Sequence, residues 1–215
     1  MILERMGNAP FFSGVLKDKP KIGIVGSGAV GAYYGARLRR SGQDVHFLMR
    51  SDLEAVRSNG LMIKAHDGEF TLPEVKAYGS TEEMGKCDLV IIALKTTSND
   101  QLTDLLRPLL HEETLILTLQ NGLGSDAFLA EAFGGERILG GLCFVCLNRT
   151  APGVIENYFP GSISLGNYDR NPDAQCEKIA GFFTKEGVEC RVIEDLEDTR
   201  WRKLIWTVHF NGLSI

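Results

Sequence analysis

From residue 21 onward, apolar positions fall into short runs separated by stretches with helical spacing. Lys21-Ile22-Gly23-Ile24-Val25 is a β run, and it leads into Gly26-Ser27-Gly28-Ala29-Val30-Gly31. A helical stretch over 29–41 stops at Gly42, and a second strand follows over 44–49. Strand, glycine turn, helix and strand occupy about 30 residues, the size of one βαβ unit.

The alternation continues. Ser51 can cap a short helix to residue 58, which ends at Asn59-Gly60. Runs 61–66 and 70–78 flank Asp67-Gly68, a hairpin signal. Residues 88–94 and 114–119 are buried-type strands; 99–110, despite Pro108, and 125–133 are helices. This order predicts an α/β fold with a doubly wound, mostly parallel sheet. The texture then changes. Runs 138–148, 153–158 and 162–165 predict an antiparallel extension with turns at Ala151-Pro152-Gly153 and Pro160-Gly161. A helix over 173–186 and a strand over 188–193 follow, and Asp195 opens a helix running to Ile215.

Composition narrows the classes. The chain has 215 residues, 44% of them hydrophobic and 24% charged, with a formal net charge of -5. That is globular, and no basic block offers a nucleic-acid surface. No run approaches the roughly 20 apolar residues of a membrane span, and residues 1–20 resemble neither a signal peptide nor an anchor. They are expected to be an extension ahead of the fold, and the cytoplasm is the expected compartment. The five cysteines have an odd count and scattered spacing, so no disulfide framework is expected. Cys143-x-x-Cys146 lies in a strand-like run, where positions three apart face opposite ways, so buried structural thiols are expected rather than a metal site. The four histidines form no ligand spacing.

The glycine turn carries chemistry. A helix N-terminus offers unpaired N–H groups and partial positive charge to a diphosphate. Gly26 makes the tight turn, Gly28 lets backbone approach the phosphates, and Gly31 lets helix and strand pack closely; Ser27, Ala29 and Val30 complete the loop. These are the features of a Rossmann-type dinucleotide site. Where NAD binders place an acid after the second strand, this chain has Met49-Arg50-Ser51. A carboxylate repels a 2′-phosphate and a guanidinium pairs with it, so NADP(H) is the expected coenzyme.

From Lys21 to Ile215 the sequence resembles the ketopantoate reductase (2-dehydropantoate 2-reductase) family. The resemblance is carried by the glycine fingerprint, Arg50, Leu94-Lys95-Thr96, Gln120-Asn121-Gly122, Arg149-Thr150-Ala151-Pro152-Gly153-Val154, Trp201-Arg202-Lys203-Leu204 and Asn211-Gly212. It implies an NADP-dependent oxidoreductase acting on CH–OH groups, reducing the small 2-keto acid 2-dehydropantoate to pantoate on the way to coenzyme A. It further implies Arg50 at the 2′-phosphate, Lys95 near the coenzyme, Asn121 beside coenzyme and substrate, and Lys203 as the catalytic lysine. An ammonium there can stabilise the developing alkoxide and deliver a proton.

Asn211 lies eight residues beyond Lys203 and shares its face, with Thr207 between them where the family commonly has asparagine. Thr207 keeps a hydroxyl and loses the amide fork, which leaves a related reductase with another 2-keto acid open. The implied architecture is an extension (1–20), a coenzyme domain (21–194) and the first helix (195–215) of an all-helical substrate domain. The family's later glutamate and serine fall beyond Ile215. That last helix is apolar on more than one face, which predicts either burial in a second copy, giving a homodimer, or a truncated chain. A truncated chain could be a binding module without turnover.

Overall fold

A computed structural model describes residues 15–212, with side chains to residue 208. Ten strands form one sheet: β1 (Lys21–Val25), β2 (Asp44–Leu48), β3 (Leu61–Ala65), β4 (Gly68–Leu72), β5 (Lys76–Tyr78), β6 (Leu89–Ile92), β7 (Leu115–Thr118), β8 (Ile138–Ala151), β9 (Val154–Asn167) and β10 (Glu189–Val192). The helices are α1 (Ala29–Arg40), α2 (Leu53–Asn59), α3 (Thr81–Met84), α4 (Leu102–Leu106), α5 (Ser125–Phe133), α6 (Ala174–Thr184) and α7 (Leu196–Gly212).

Six strands, in the order β5-β2-β1-β6-β7-β8, are parallel throughout. This is the doubly wound order, with its switch point between β1 and β6, where open α/β sheets bind ligands at the strands' carboxyl ends. Both faces are covered. Along β6, Leu89 and Ile91 pack into one apolar layer with α1 and α6, while Val90 and Ile92 pack into the other with α4 and α5. The period of two explains why these strands are apolar without interruption. Under α1, Tyr34 meets Phe183 of α6 edge-on at 5.8 Å, and Tyr33 OH accepts from the buried Asn157 amide at 2.8 Å.

The antiparallel extension is the β8–β9 hairpin, closed at Pro152-Gly153 between the paired Ala151 and Val154. Gly153 has φ 72°, a conformation that favours glycine after proline in a tight turn. The expected second turn at Pro160-Gly161 is instead an irregularity inside one 14-residue strand. Proline lacks the ladder N–H, and Gly161 has φ 73°, so the register shifts near Cys146 while the strand continues. β9 then changes neighbours, pairing β3 through its first half and β10 through its second.

Three other elements differ from expectation. The run 70–78 divides: β4 pairs antiparallel with β3, whereas β5 crosses to the far edge beside β2. The helix expected over 99–110 is a succession of short turns around α4, and α4 ends at Leu106 because Pro108 removes an N–H and crowds the preceding turn. α3 was not anticipated; Ser80 caps it by accepting from the Glu83 N–H. Before β1, Leu16 is buried, its N–H donating to Gln175 Oε1 at 2.9 Å and its carbonyl accepting from Lys178 Nζ at 2.6 Å. Leu16 therefore packs on α6, and the exposed Asp18 pairs with Lys178 of the same helix. Residues 1–14 lie outside the described residues.

All five cysteines are free; Cys143 is buried and Cys146 exposed, on opposite faces of β8. The expectation that both are buried thiols is corrected for Cys146, because only one face of that strand is covered. Among the described residues, no three His, Cys, Asp or Glu side chains are grouped to hold a metal, and no helix is long and apolar enough to cross a membrane.

Candidate functional site

The loops at the carboxyl ends of β1, β6 and β7 converge with α7. After β1, Gly26 has φ 97°, and a Cβ there would lie 2.5 Å from the Leu94 backbone nitrogen. A Cβ on Gly31 would lie 2.3 Å from the Gly26 carbonyl oxygen. Gly28 differs: its φ is −74°, and a Cβ would meet nothing within 4 Å. The protein's own packing thus requires glycine at 26 and 31, whereas the space over Gly28 is open. Ser27 Oγ is buried there without a hydrogen-bond partner. Ala29 and Val30 begin α1, whose first N–H groups have no partner within the helix.

Beyond β2, Met49 is held by its N–H to the Tyr78 carbonyl at 2.9 Å, and Arg50 is exposed. Ser51 does not cap α2. Its hydroxyl donates to Asp52 Oδ1 at 2.8 Å and accepts from Arg149 at 3.0 Å. Lys95 is exposed in the loop after β6.

Gln120 ties that loop to the next one. Its amide nitrogen donates to the Leu94 carbonyl at 3.1 Å and to Asn99 Oδ1 at 2.8 Å. Asn121 follows it and faces α7, where Lys203 Nζ donates to Asn121 Oδ1 at 2.8 Å and to the Cys143 carbonyl at 2.7 Å. Burial holds the Lys203 ammonium below the usual lysine range; the neighbouring Cys143 thiol opposes this and the Arg200 cation adds to it.

Arg200, one turn earlier, is buried against Asp126 of α5. Its Nη2 donates to Asp126 Oδ1 at 2.8 Å, and its Nη1 donates to the Gln120 carbonyl at 3.2 Å. Burial pushes the Asp126 carboxyl up, and Arg200 pulls it back.

These groups wall a cavity of about 580 Å³. Its lining includes the polar Asn121, Lys203 and Thr207 and the aromatic Phe144, Phe159 and Trp206. Phe144 stands edge-on to both other rings, at 5.9 and 5.2 Å. The Thr207 hydroxyl donates to the Lys203 carbonyl at 2.9 Å, so it offers the cavity its lone pairs and methyl group. Lys95 and Arg50 do not line this cavity. The side chain of Asn211 lies outside the described residues.

Sequence reasoning assigned no role to Gln120, Asp126 or Arg200. The signal for Gln120 was its place in the Gln-Asn-Gly turn. No sequence signal joins Asp126 to Arg200.

Residues 22–170 match the family model described as ketopantoate reductase PanE/ApbA. The chain belongs to the ketopantoate reductase family. Among members of that family, a 2-dehydropantoate 2-reductase of Nostoc sp. is 43% identical over 203 residues, covering 92% of this chain and 64% of that protein. The crystal structure of 2-dehydropantoate 2-reductase from Geobacter metallireducens is 50% identical with TM-score 0.87, covering 89% of this chain and 64% of the other. That from Methylococcus capsulatus is 32% identical with TM-score 0.83, covering 90% and 63%. The chain thus spans just under two thirds of the length of these relatives. A ternary structure of D-mandelate dehydrogenase with NADH and anilino(oxo)acetate shares the ketopantoate reductase fold at 22% identity, with TM-score 0.81, covering 89% of this chain and 62% of the other.

Proposed function

We propose that this chain binds NADP(H) and that the protein reduces 2-dehydropantoate to pantoate, a CH–OH oxidoreductase step toward coenzyme A. The observation that carries the coenzyme half is the open space over Gly28, at the start of α1, whose first N–H groups have no partner within the helix. A diphosphate fits those donors. Gly26, Gly28 and Gly31 with Ser27, Ala29 and Val30 would hold it. Arg50 would take the 2′-phosphate, and Lys95 and Asn121 would flank the coenzyme further along the sheet edge. NADPH supplies the hydride when bound.

The chain's own residues do the rest. Lys203, held by Asn121 and the Cys143 carbonyl, would keep a proton at the substrate's carbonyl oxygen and stabilise negative charge as it develops there. Asn121 accepts from Lys203 through Oδ1, which leaves its amide N–H groups for the substrate. Thr207 and Asn211 would border the substrate from the same helix. Phe144, Phe159 and Trp206 would offer apolar contact to a branched 2-keto acid.

Coenzyme choice is tested by titrating NADPH and NADH into the chain and its Arg50→Ala variant. The expected result is a loss confined largely to NADPH; equal losses would remove the 2′-phosphate role. Turnover is tested by following NADPH oxidation on adding 2-dehydropantoate.

A second reading is a coenzyme-binding module without turnover, favoured by the half-exposed Phe144, Phe159 and Trp206 around the cavity. Binding without oxidation would support it. Turnover of a different 2-keto acid in a panel would instead point to a related reductase, as Thr207 allows.

The division into a coenzyme domain (21–194) and a helical substrate domain beginning at 195 belongs to this proposal. So does a cytoplasmic setting, for which five free thiols are suited. Trp201 and Val208 of α7 are exposed. We propose that a second copy covers them in a homodimer, which sedimentation would report.

A further inference from the structure

We infer that Arg149, on the β8–β9 hairpin, is a second determinant of coenzyme choice, acting through Asp52 to keep the 2′-phosphate position free of negative charge. The inference rests on the reading of Arg50 above.

Asp52 stands two residues after Arg50, in the loop between β2 and α2, and an unpaired carboxylate in that loop would repel a phosphate held by Arg50. In this chain that carboxylate is nearly fully buried and already occupied. Arg149 Nη1 donates to Asp52 Oδ1 at 2.6 Å, the Ser51 hydroxyl donates to the same oxygen at 2.8 Å, and the Gly153 N–H donates to Oδ2 at 3.1 Å. Asp52 precedes α2 but makes no side-chain cap there, so its carboxylate is committed to the hairpin rather than to its own helix. Arg149 Nη1 also donates to Ser51 Oγ at 3.0 Å, which fixes the residue next to Arg50. One guanidinium, 98 residues away in sequence from Ser51, thereby neutralises the acid beside Arg50 and orders the loop. Arg149 is a positioning residue and is not asked to touch the coenzyme.

The experiment measures NADPH and NADH dissociation constants by titration calorimetry for the wild-type chain, Arg149→Ala, and the double variant Arg149→Ala with Asp52→Asn. Losing the pairing leaves a bare carboxylate near the 2′-phosphate, so R149A should weaken NADPH about tenfold while NADH changes less than about twofold. Removing the charge of Asp52 in the same chain should restore NADPH to within about threefold of wild type. That rescue separates electrostatics from folding, because the double variant has no unpaired buried acid, and near-normal NADH binding by R149A reports that the single variant is folded. Equal losses of both coenzymes in R149A, or no recovery in the double variant, would overturn the inference while leaving Arg50's role intact. A wild-type chain that takes up neither coenzyme would overturn the reading beneath it as well.

Discussion

Arg200 and Asp126 form an ion pair, 6% and 5% exposed, that joins the last helix to the first turn of α5. The same guanidinium donates to the carbonyls of Gln120 at 3.2 Å and Gly122 at 3.4 Å. It therefore spans both sides of Asn121, the residue that receives Lys203. Removing one member of a buried pair leaves an uncompensated charge, which costs about 3–5 kcal/mol. Asp126→Asn and Arg200→Met should each lower stability by roughly that amount in urea unfolding. The double variant Asp126→Leu with Arg200→Met should recover part of it, since no charge is then stranded. If the single variants unfold like wild type, the pair does not anchor α7.

The glycine turn separates two requirements that sequence alone runs together. Gly31→Ala would drive a methyl to 2.3 Å from the Gly26 carbonyl, so it should destabilise the fold by about 1–3 kcal/mol. Gly28→Ala places its methyl in open space at an ordinary negative φ, so thermal unfolding should stay within about 0.5 kcal/mol of wild type. The same variant should weaken NADPH about tenfold or more, because the methyl occupies the approach to the helix N–H groups. A folded G28A chain that binds NADPH as before would remove the diphosphate from this turn.

The parallel core was legible because β1, β6 and β7 are buried on both faces, so their apolar runs are continuous and bounded by turn residues. The Gly26–Gly31 turn was legible for a related reason: close packing at Gly26 and Gly31 admits no side chain, and the spacing records that. The division of 70–78 between two edges of the sheet was not. β4 and β5 are short, and nothing local to Phe70 or Ala77 names a partner strand. At the candidate site, Lys203 and Asn121 were readable through motifs of their own. Arg200 and Asp126 were not, because the pair is 74 residues apart. Asp126 in a helix's first turn looks like any acid that complements the helix dipole.

Arg37 offers a test at acidic pH. Its guanidinium is buried on α1 under Tyr33 and Phe70 and meets Asp67, between β3 and β4, through two hydrogen bonds of 2.9 and 2.6 Å. The hydrogen bonds from Arg37 hold the Asp67 carboxyl below its ordinary value of 3.8. A carboxylate with a depressed folded-state pKa stabilises the fold fully above its unfolded value, and the contribution is lost as pH falls through the folded value. Asp67 is half-exposed, so solvent screens part of the gain. Asp67→Asn should cost on the order of 1–2 kcal/mol at pH 7. The gap to wild type should close as the pH drops below 3.8. Urea midpoints taken stepwise from pH 7 to acid would show it; a gap constant down to the acid limit would assign the loss to packing.

Lys203 carries the last prediction, because burial fixes its sign. The proton-bearing form is the ammonium, and burial lowers its pKa below the ordinary 10.5. Raising the pH should therefore remove the active form sooner than for an exposed lysine, and the rate of the proposed reduction should fall along an alkaline limb centred below 10.5. Lys203→Arg keeps a cation that does not titrate in this range, so the limb should vanish from a slower enzyme. Lys203→Ala should lose about 10²–10⁴ in kcat, the usual contribution of a positioned acid, while NADPH binding stays near wild type. Since Asn121 and Cys143 fix the ammonium from two directions, a flexible cation at 203 cannot substitute by charge alone. An alkaline limb that persists unchanged in K203R would assign the titration to another group and take the proton from Lys203.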